Sequence, residues 1–192
     1  MKKLKFLFLL FSIPLISSCS NQKNNTFLNF KNSIEYSIES SSNSINPLIN
    51  KINILVNDGD IDKLSMEEYH NCKANLIANK EFVMNLVEVD IEFNLKEKTI
   101  KYLELEEKIL DSFILPVIKF LNAPNQNEIF NTVQLKNGFL LLESMVNHTD
   151  DLSNSLEKFC LKYQLPIKMS EFEKKEYTQK IEILKRELKN RE

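Results

Sequence analysis

Glycine occurs only at Gly59 and Gly138 in 192 residues. Too few are present to build a phosphate-cradling loop, a dinucleotide fingerprint or a strained nucleophile turn. A sheet of many hairpins also wants more glycine than this, so the scarcity favours helices. Tryptophan is absent, which counts against a carbohydrate-stacking surface. Histidine is limited to His70 and His148, so no Ser/His/Asp arrangement can be assembled. Glu67-x-x-His70 matches one half of the di-metal signature of helical bundles, but a second half is missing. Ahead of His148 stand Leu142, Glu143, Ser144 and Met145, which put the glutamate in the wrong register. No basic block exists, and the net charge is −2. A mildly acidic chain lacks the clustered Lys and Arg that nucleic-acid binding needs. No metal, cofactor or catalytic group is expected.

The stretch that carries most information is the N-terminus. Lys2, Lys3 and Lys5 precede Phe6–Ile16, a run of 11 residues that is apolar apart from Ser12 and Pro14. A bilayer-spanning helix needs about 20 apolar residues. A basic start, a short apolar run and small residues after it together describe a signal peptide over residues 1–18. Ile16-Ser17-Ser18-Cys19 resembles the lipobox of bacterial lipoproteins: an aliphatic residue, two small ones, then cysteine. The resemblance implies that Cys19 takes a diacylglyceryl group and that cleavage before it frees an amine for further acylation. Two acyl chains anchor stably where one is marginal, at roughly 0.8 kcal/mol per buried methylene. It further implies an exported protein held on a bacterial membrane, at the outer membrane facing the periplasm in a Gram-negative cell, because Ser20 rather than Asp follows the cysteine. The alternative is an ordinary secretory signal that leaves Cys19 an incidental thiol; the sequons at Asn24 and Asn147 fit that case. Without its three signal lysines the mature chain has 22 basic and 27 acidic residues, a net charge of −5.

Residues 19–46 are rich in Ser and Asn and read as a lipidated tether, with a span of roughly 30 Å if flexible. Phe27, Phe30, Ile34 and Ile38 recur inside it at helical spacing, whereas Ile34, Tyr36 and Ile38 alternate as a strand would. Helix is the preferred reading. Residues 47–192 then form one domain of about 145 residues, enough for a single core. Asn46-Pro47 looks like an N-cap followed by proline at the first helical position. Asp58-Gly59-Asp60-Ile61-Asp62 resembles the start of a calcium loop, but Lys63 sits where the turn glycine belongs and Tyr69 where the bidentate glutamate belongs. It reads as a turn. Ser65-Met66-Glu67-Glu68 is a capping box that launches a helix carrying Tyr69, Leu76, Val83, Leu86 and Val87 inward. Val87, Val89, Ile91 and Phe93 alternate, but with no second strand to pair they are kept helical. From about Glu97 a further helix runs through Pro116, which should bend it. Helices from Asn125 and from Thr149 or Asp150 follow, the latter stopped by Pro166. Ser170-Glu171-Phe172-Glu173 opens a last one with Tyr177, Ile181, Leu184 and Leu188 as its seam. The expected fold is all-α: an up-and-down bundle of about five to six helices on a lipidated tether.

With Cys19 lipidated, Cys72 and Cys160 remain, and an even pair in an oxidising compartment reads first as a disulfide. Closing a loop of that length would contribute roughly 4–5 kcal/mol. The composite expectation is a membrane-anchored envelope lipoprotein, non-enzymatic, that binds another protein as an inhibitor, immunity protein or accessory subunit. The alternative is a lipid- or small-molecule-binding bundle with a cavity lined by Phe113, Phe120, Phe139 and Phe159.

Overall fold

The structure is a computed structural model that describes residues 2–58, 64–122 and 132–167, with side chains in the first helix from residue 25 to 54 and in the last from 136. It is all-α: helices α1 (Lys2–Asp58), α2 (Met66–Met84), α3 (Leu95–Ile109), α4 (Leu115–Leu121) and α5 (Thr132–Tyr163), with no strand among the described residues. A π-helical turn, Leu110–Ile114, joins α3 to α4 without a break.

The stretch read as a tether is part of α1. Phe30, Ile34, Ile38, Ile45, Leu48, Ile49 and Ile52 are buried at helical spacing, so the core begins well before residue 47. Fully burying a side chain of this kind stabilises by about 1.5–3 kcal/mol. Ser37, Ser41 and Ser42 lie on the same face and are buried too. Ser37 and Ser41 donate to the carbonyls of Ser33 and Ile38, each at 3.0 Å. Serine hydroxyls satisfied by the preceding turn can enter a helix interior, which is why a Ser/Asn-rich composition did not make a linker. Pro47 stands inside the helix on its exposed side, and Asn46 is not a cap.

The capping box at the start of α2 forms as expected. The Glu68 amide donates to Ser65 Oγ at 3.1 Å, and the Ser65 amide to Glu68 Oε2 at 3.1 Å. Proline has no amide, and its ring would collide with the carbonyl four residues back. At Pro116 the chain widens in advance: the Leu115 amide donates to the Leu110 carbonyl, five residues back, and the helix continues. The turn also brings Phe113 against Gly138 of α5, where an added Cβ would stand 2.7 Å from Phe113 Cγ. Only glycine allows that approach.

Two expected breaks differ. The helices read from Asn125 and from Thr149 are one helix where described, because Thr149 Oγ1 donates back to the Met145 carbonyl at 2.8 Å instead of capping a new start. Residues 87–93 are neither helix nor strand; they form the α2–α3 loop. The helix expected after Ser170 and most of the Asp58–Asp62 turn lie outside the described residues.

Cross-helix pairs give the directions. Lys51 meets Glu68, while Asn79 meets Ser40, so α1 and α2 are antiparallel. Lys73 meets Asp111 and Lys80 meets Glu107, which sets α3 against α2. Lys98 near the start of α3 reaches Asp151 and Ser155 of α5, and Lys162 reaches Asp90 and Glu92 ahead of α3. α2 packs on α1 and α3, and α5 packs chiefly on α3. One end of the molecule therefore gathers the α2–α3 loop, the C-terminus of α5 and the segment of α1 around Phe27.

Candidate functional site

Midway along the helices lies a buried polar layer. On α3, Thr99, Tyr102, Leu103, Glu106 and Ile109 are buried, as is Leu110 at the start of the π-helical turn. Glu106 is fully enclosed. Ser42 Oγ of α1 lies 2.7 Å from the Tyr102 hydroxyl and 3.5 Å from Glu106 Oε1, while Glu106 Oε2 has no hydrogen-bond partner. Burial in a medium that cannot solvate a charge pushes the Glu106 carboxyl up to about 8, against the pull of the Ser41, Tyr102 and Ser42 hydroxyls. At neutral pH it holds its proton. Next to this layer, Asn75 of α2 donates to the Ser40 carbonyl at 3.0 Å and Asn79 donates to Ser40 Oγ at 3.1 Å.

Most other charged groups that could do chemistry are engaged with one another. Tyr69 donates to Asp111 Oδ1 at 2.7 Å, and Lys73 donates to Asp111 Oδ2 at 2.8 Å. The Lys73 and Tyr69 bonds lower the Asp111 carboxyl against its partial burial. Lys31, wholly buried, pairs with Glu35 at 2.7 Å. His70 stands beside the Tyr69 ring, and His148 Nε2 lies 3.3 Å from the Lys98 carbonyl. Among the described residues no group of three or more His, Cys, Asp and Glu side chains is arranged to hold a metal ion.

The cysteines do not form the expected disulfide. Cys72 and Cys160 are both free, buried thiols. The topology explains it: Cys72 of α2 faces α3, where it feels Glu106, and Cys160 of α5 faces α1, where it feels Lys31 and Glu35. Burial, with the Glu106 charge adding, pushes the Cys72 thiol up to about 12, and burial also raises Cys160. Neither is a thiolate nucleophile. Of the phenylalanines read as a cavity lining, Phe113 and Phe139 are buried, Phe120 is half-buried, and Phe159 is enclosed by other rings: those of Phe27, Phe30, Phe93 and Tyr163, with centroids 5.0–6.0 Å away.

Cys19 lies on the backbone of α1, on the side of Phe27 that leads away from the core. Phe27 stacks on Tyr163 at 3.7 Å between centroids, so Cys19 leaves the molecule at the end that carries the α2–α3 loop. Leu86, Val89 and Phe93 of that loop turn to the core, but two of its residues depart from the usual surface pattern. Val87 is 80% exposed and Ile91 86% exposed, whereas the sequence pattern turned Val87 inward. Asp90 Oδ2 accepts from Lys162 at 2.7 Å and from the Tyr163 hydroxyl at 2.6 Å. Those bonds lower the Asp90 carboxyl. Glu88 Oε2 accepts from the Lys96 amide at 2.8 Å and Glu92 Oε2 from Lys162 at 2.6 Å. The alternation Val-Glu-Val-Asp-Ile-Glu, with no partner strand, pointed to an unusual segment, but it did not foretell the split within it: Val89 packs against the core while Val87 and Ile91 face water.

Among the described residues no helix is long and apolar enough to cross a membrane. No known protein family, curated protein or solved structure matches the chain.

Proposed function

We propose that the chain is a lipid-anchored protein of a bacterial cell envelope. In this reading Cys19 carries the acyl chains, and an up-and-down helical bundle works by binding another protein rather than by catalysis. The observation that supports it best is continuity: Cys19 of Ile16-Ser17-Ser18-Cys19 sits on the same helix, Lys2–Asp58, whose face from Phe30 onward enters the core. The acyl group would then be joined to the fold by helix instead of by a loose tether, and the domain would stay close to its membrane. With Ser20 after the cysteine, the outer membrane facing the periplasm is the expected site in a two-membrane cell. A binding role is favoured over chemistry by the state of the polar groups. Thiols are held protonated by burial, the carboxyl of Glu106 is enclosed, and Asp111, Lys73 and Tyr69 are spent on each other.

Labelling cells with a palmitate analogue tests the anchor. Wild-type protein should carry the label and sediment with membranes, while Cys19→Ala should lose the label and stay unprocessed. A Cys19→Ala protein that keeps its size, label and membrane fraction would refute the reading. Crosslinking in intact membranes tests the binding role; a discrete adduct with a second protein is expected, and none forming would count against it.

A further inference from the structure

We infer that the α2–α3 loop is a membrane-contacting tip, with Val87 and Ile91 seated in the headgroup layer of the bilayer that holds Cys19. The inference rests on the reading of Cys19 as an acylated residue and adds to it an orientation for the domain.

Three observations carry it. The first is position. The stack of Phe27 on Tyr163 and the bonds from Lys162 and Tyr163 to Asp90 put α1, α5 and the loop at one end. Cys19 precedes Phe27 by eight residues on the same helix, roughly 12 Å at 1.5 Å per residue. The polar layer of a bilayer leaflet is roughly 5–8 Å thick, so a tilt of α1 brings the loop into it.

The second is the sorting of side chains. Val87 and Ile91 face solvent, as do Met84 at the end of α2 and Leu161 in the last turn of α5, at 55% and 63% exposed. The acidic residues between Val87 and Ile91 are tied to protein groups instead, Glu88 to the Lys96 amide and Asp90 to Lys162 and Tyr163, while Glu92 beyond them pairs with Lys162 and stays exposed. Lys96 Nζ further binds the Leu86 carbonyl at 2.7 Å. A loop that ties down Glu88 and Asp90, tucks Val89 against the core and leaves Val87 and Ile91 bare presents two aliphatic groups to whatever borders it.

The third is charge. The ammonium of Lys96 is spent on the Leu86 carbonyl and that of Lys162 on Asp90 and Glu92, so among the described residues the tip offers no free basic cluster for anionic headgroups. Contact is apolar, and a zwitterionic surface suffices. Two such side chains would bind a bilayer poorly alone. With acyl chains already inserted at the same end, the contact becomes intramolecular and needs only to orient the domain.

The test uses full-length acylated protein bearing a bimane label at Val87→Cys, at Ile91→Cys or at Tyr36→Cys. Cys72 and Cys160 are buried, so labelling reports the introduced thiol. Tyr36 is 63% exposed and lies about 26 Å along α1 from Cys19, which makes it the solvent control. In phosphatidylcholine vesicles, the labels at 87 and 91 should shift to the blue, lose most of their iodide quenching and be quenched by lipids spin-labelled near the headgroup. The label at 36 should not change. Labels at 87 and 91 that remain as open to iodide as the one at 36, on protein that floats with the vesicles, overturn the tip and leave the anchor standing. Protein that carries no acyl group and does not float removes the anchor, and the tip with it. Shielding of 87 and 91 in lipid-free Cys19→Ala protein would mean that another part of the chain or a second copy covers the loop, which also overturns the proposal.

Discussion

Two regions of this molecule break the rule of apolar inside and polar outside, in opposite directions. In the middle, Glu106, Ser42 and Ser41 sit where a core would place leucine. At the loop end, Val87 and Ile91 stand in solvent while Asp90 is turned onto Lys162 and Tyr163. Both departures cost free energy relative to an ideal pattern, but for different reasons. An enclosed carboxyl can avoid most of its desolvation penalty by keeping a proton, so the middle region is a matter of fold and pH. Exposed apolar side chains have no protonation step by which to lower their cost. Among the described residues nothing covers Val87 and Ile91, so the end region is where a contact with function is to be sought. The comparison can be broken or sharpened by substitutions on each side.

The largest expected effect is at the aromatic cluster that closes the loop end. Phe159 is fully buried and touched by Phe27, Phe30, Phe93 and Tyr163. Phe159→Ala should cost about 3–5 kcal/mol of folding stability, read as a lower urea midpoint with an unchanged slope. A loss below about 1 kcal/mol would mean that the ring's neighbours collapse into the space, and that this end is not the fixed platform on which the tip depends.

A smaller effect with a distinct signature is expected at Glu106. Its carboxyl is raised to about 8 in the folded state, above the ordinary range near 4.3 of an exposed glutamate. Below that ordinary range both states hold the proton and the group is neutral to stability. As pH rises towards 8 the unfolded chain releases its proton while the folded one keeps it, so stability falls across that window and levels off above it. The drop should be on the order of a few kcal/mol, and Glu106→Gln should abolish it. Asp90, Asp111 and Asp151 have lowered carboxyls, so what they contribute is present above the ordinary aspartate range and is lost only as pH falls below it. A wild-type melting temperature flat from pH 5 to pH 8 would show that Glu106 is reached by water.

What could be read from the sequence was what depends on neighbouring residues. The Ser65–Glu68 box, the inward Tyr69, Leu76 and Val83, and the long helix containing Pro116 all follow from spacing within one or two turns. What could not be read depends on partners far along the chain. The Ser/Asn stretch resembled a linker because composition does not reveal that Asn75 and Asn79 of α2 would meet Ser40. Thr149 resembled a cap because its alternative, a bond back to Met145, uses the same hydroxyl. Cys72 and Cys160 resembled a pair because counting says nothing of α2 packing on α1 and α3 while α5 packs chiefly on α3. Glu106 was legible in principle, since it shares a face with Tyr102, Leu103, Ile109 and Leu110. It was hidden by the many glutamates around it.

The smallest expected effect is the one that isolates the tip. Val87 and Ile91 give almost no buried area to the fold, at 80% and 86% exposed. Replacing both with serine removes apolar surface that water already reaches, so folding stability should stay within about 0.5 kcal/mol of wild type. Phe93, six positions on from Val87, is 9% exposed and packs on Phe159, so Phe93→Ser in the same loop supplies the contrast and should destabilise clearly. A tip pair that matched Phe93→Ser in its cost would mean that Val87 and Ile91 belong to a covered core. If the pair is neutral while Phe93→Ser is not, the loop divides cleanly: its inward aromatic ring holds the fold, and its two outward aliphatic groups are left for a surface the described residues do not provide.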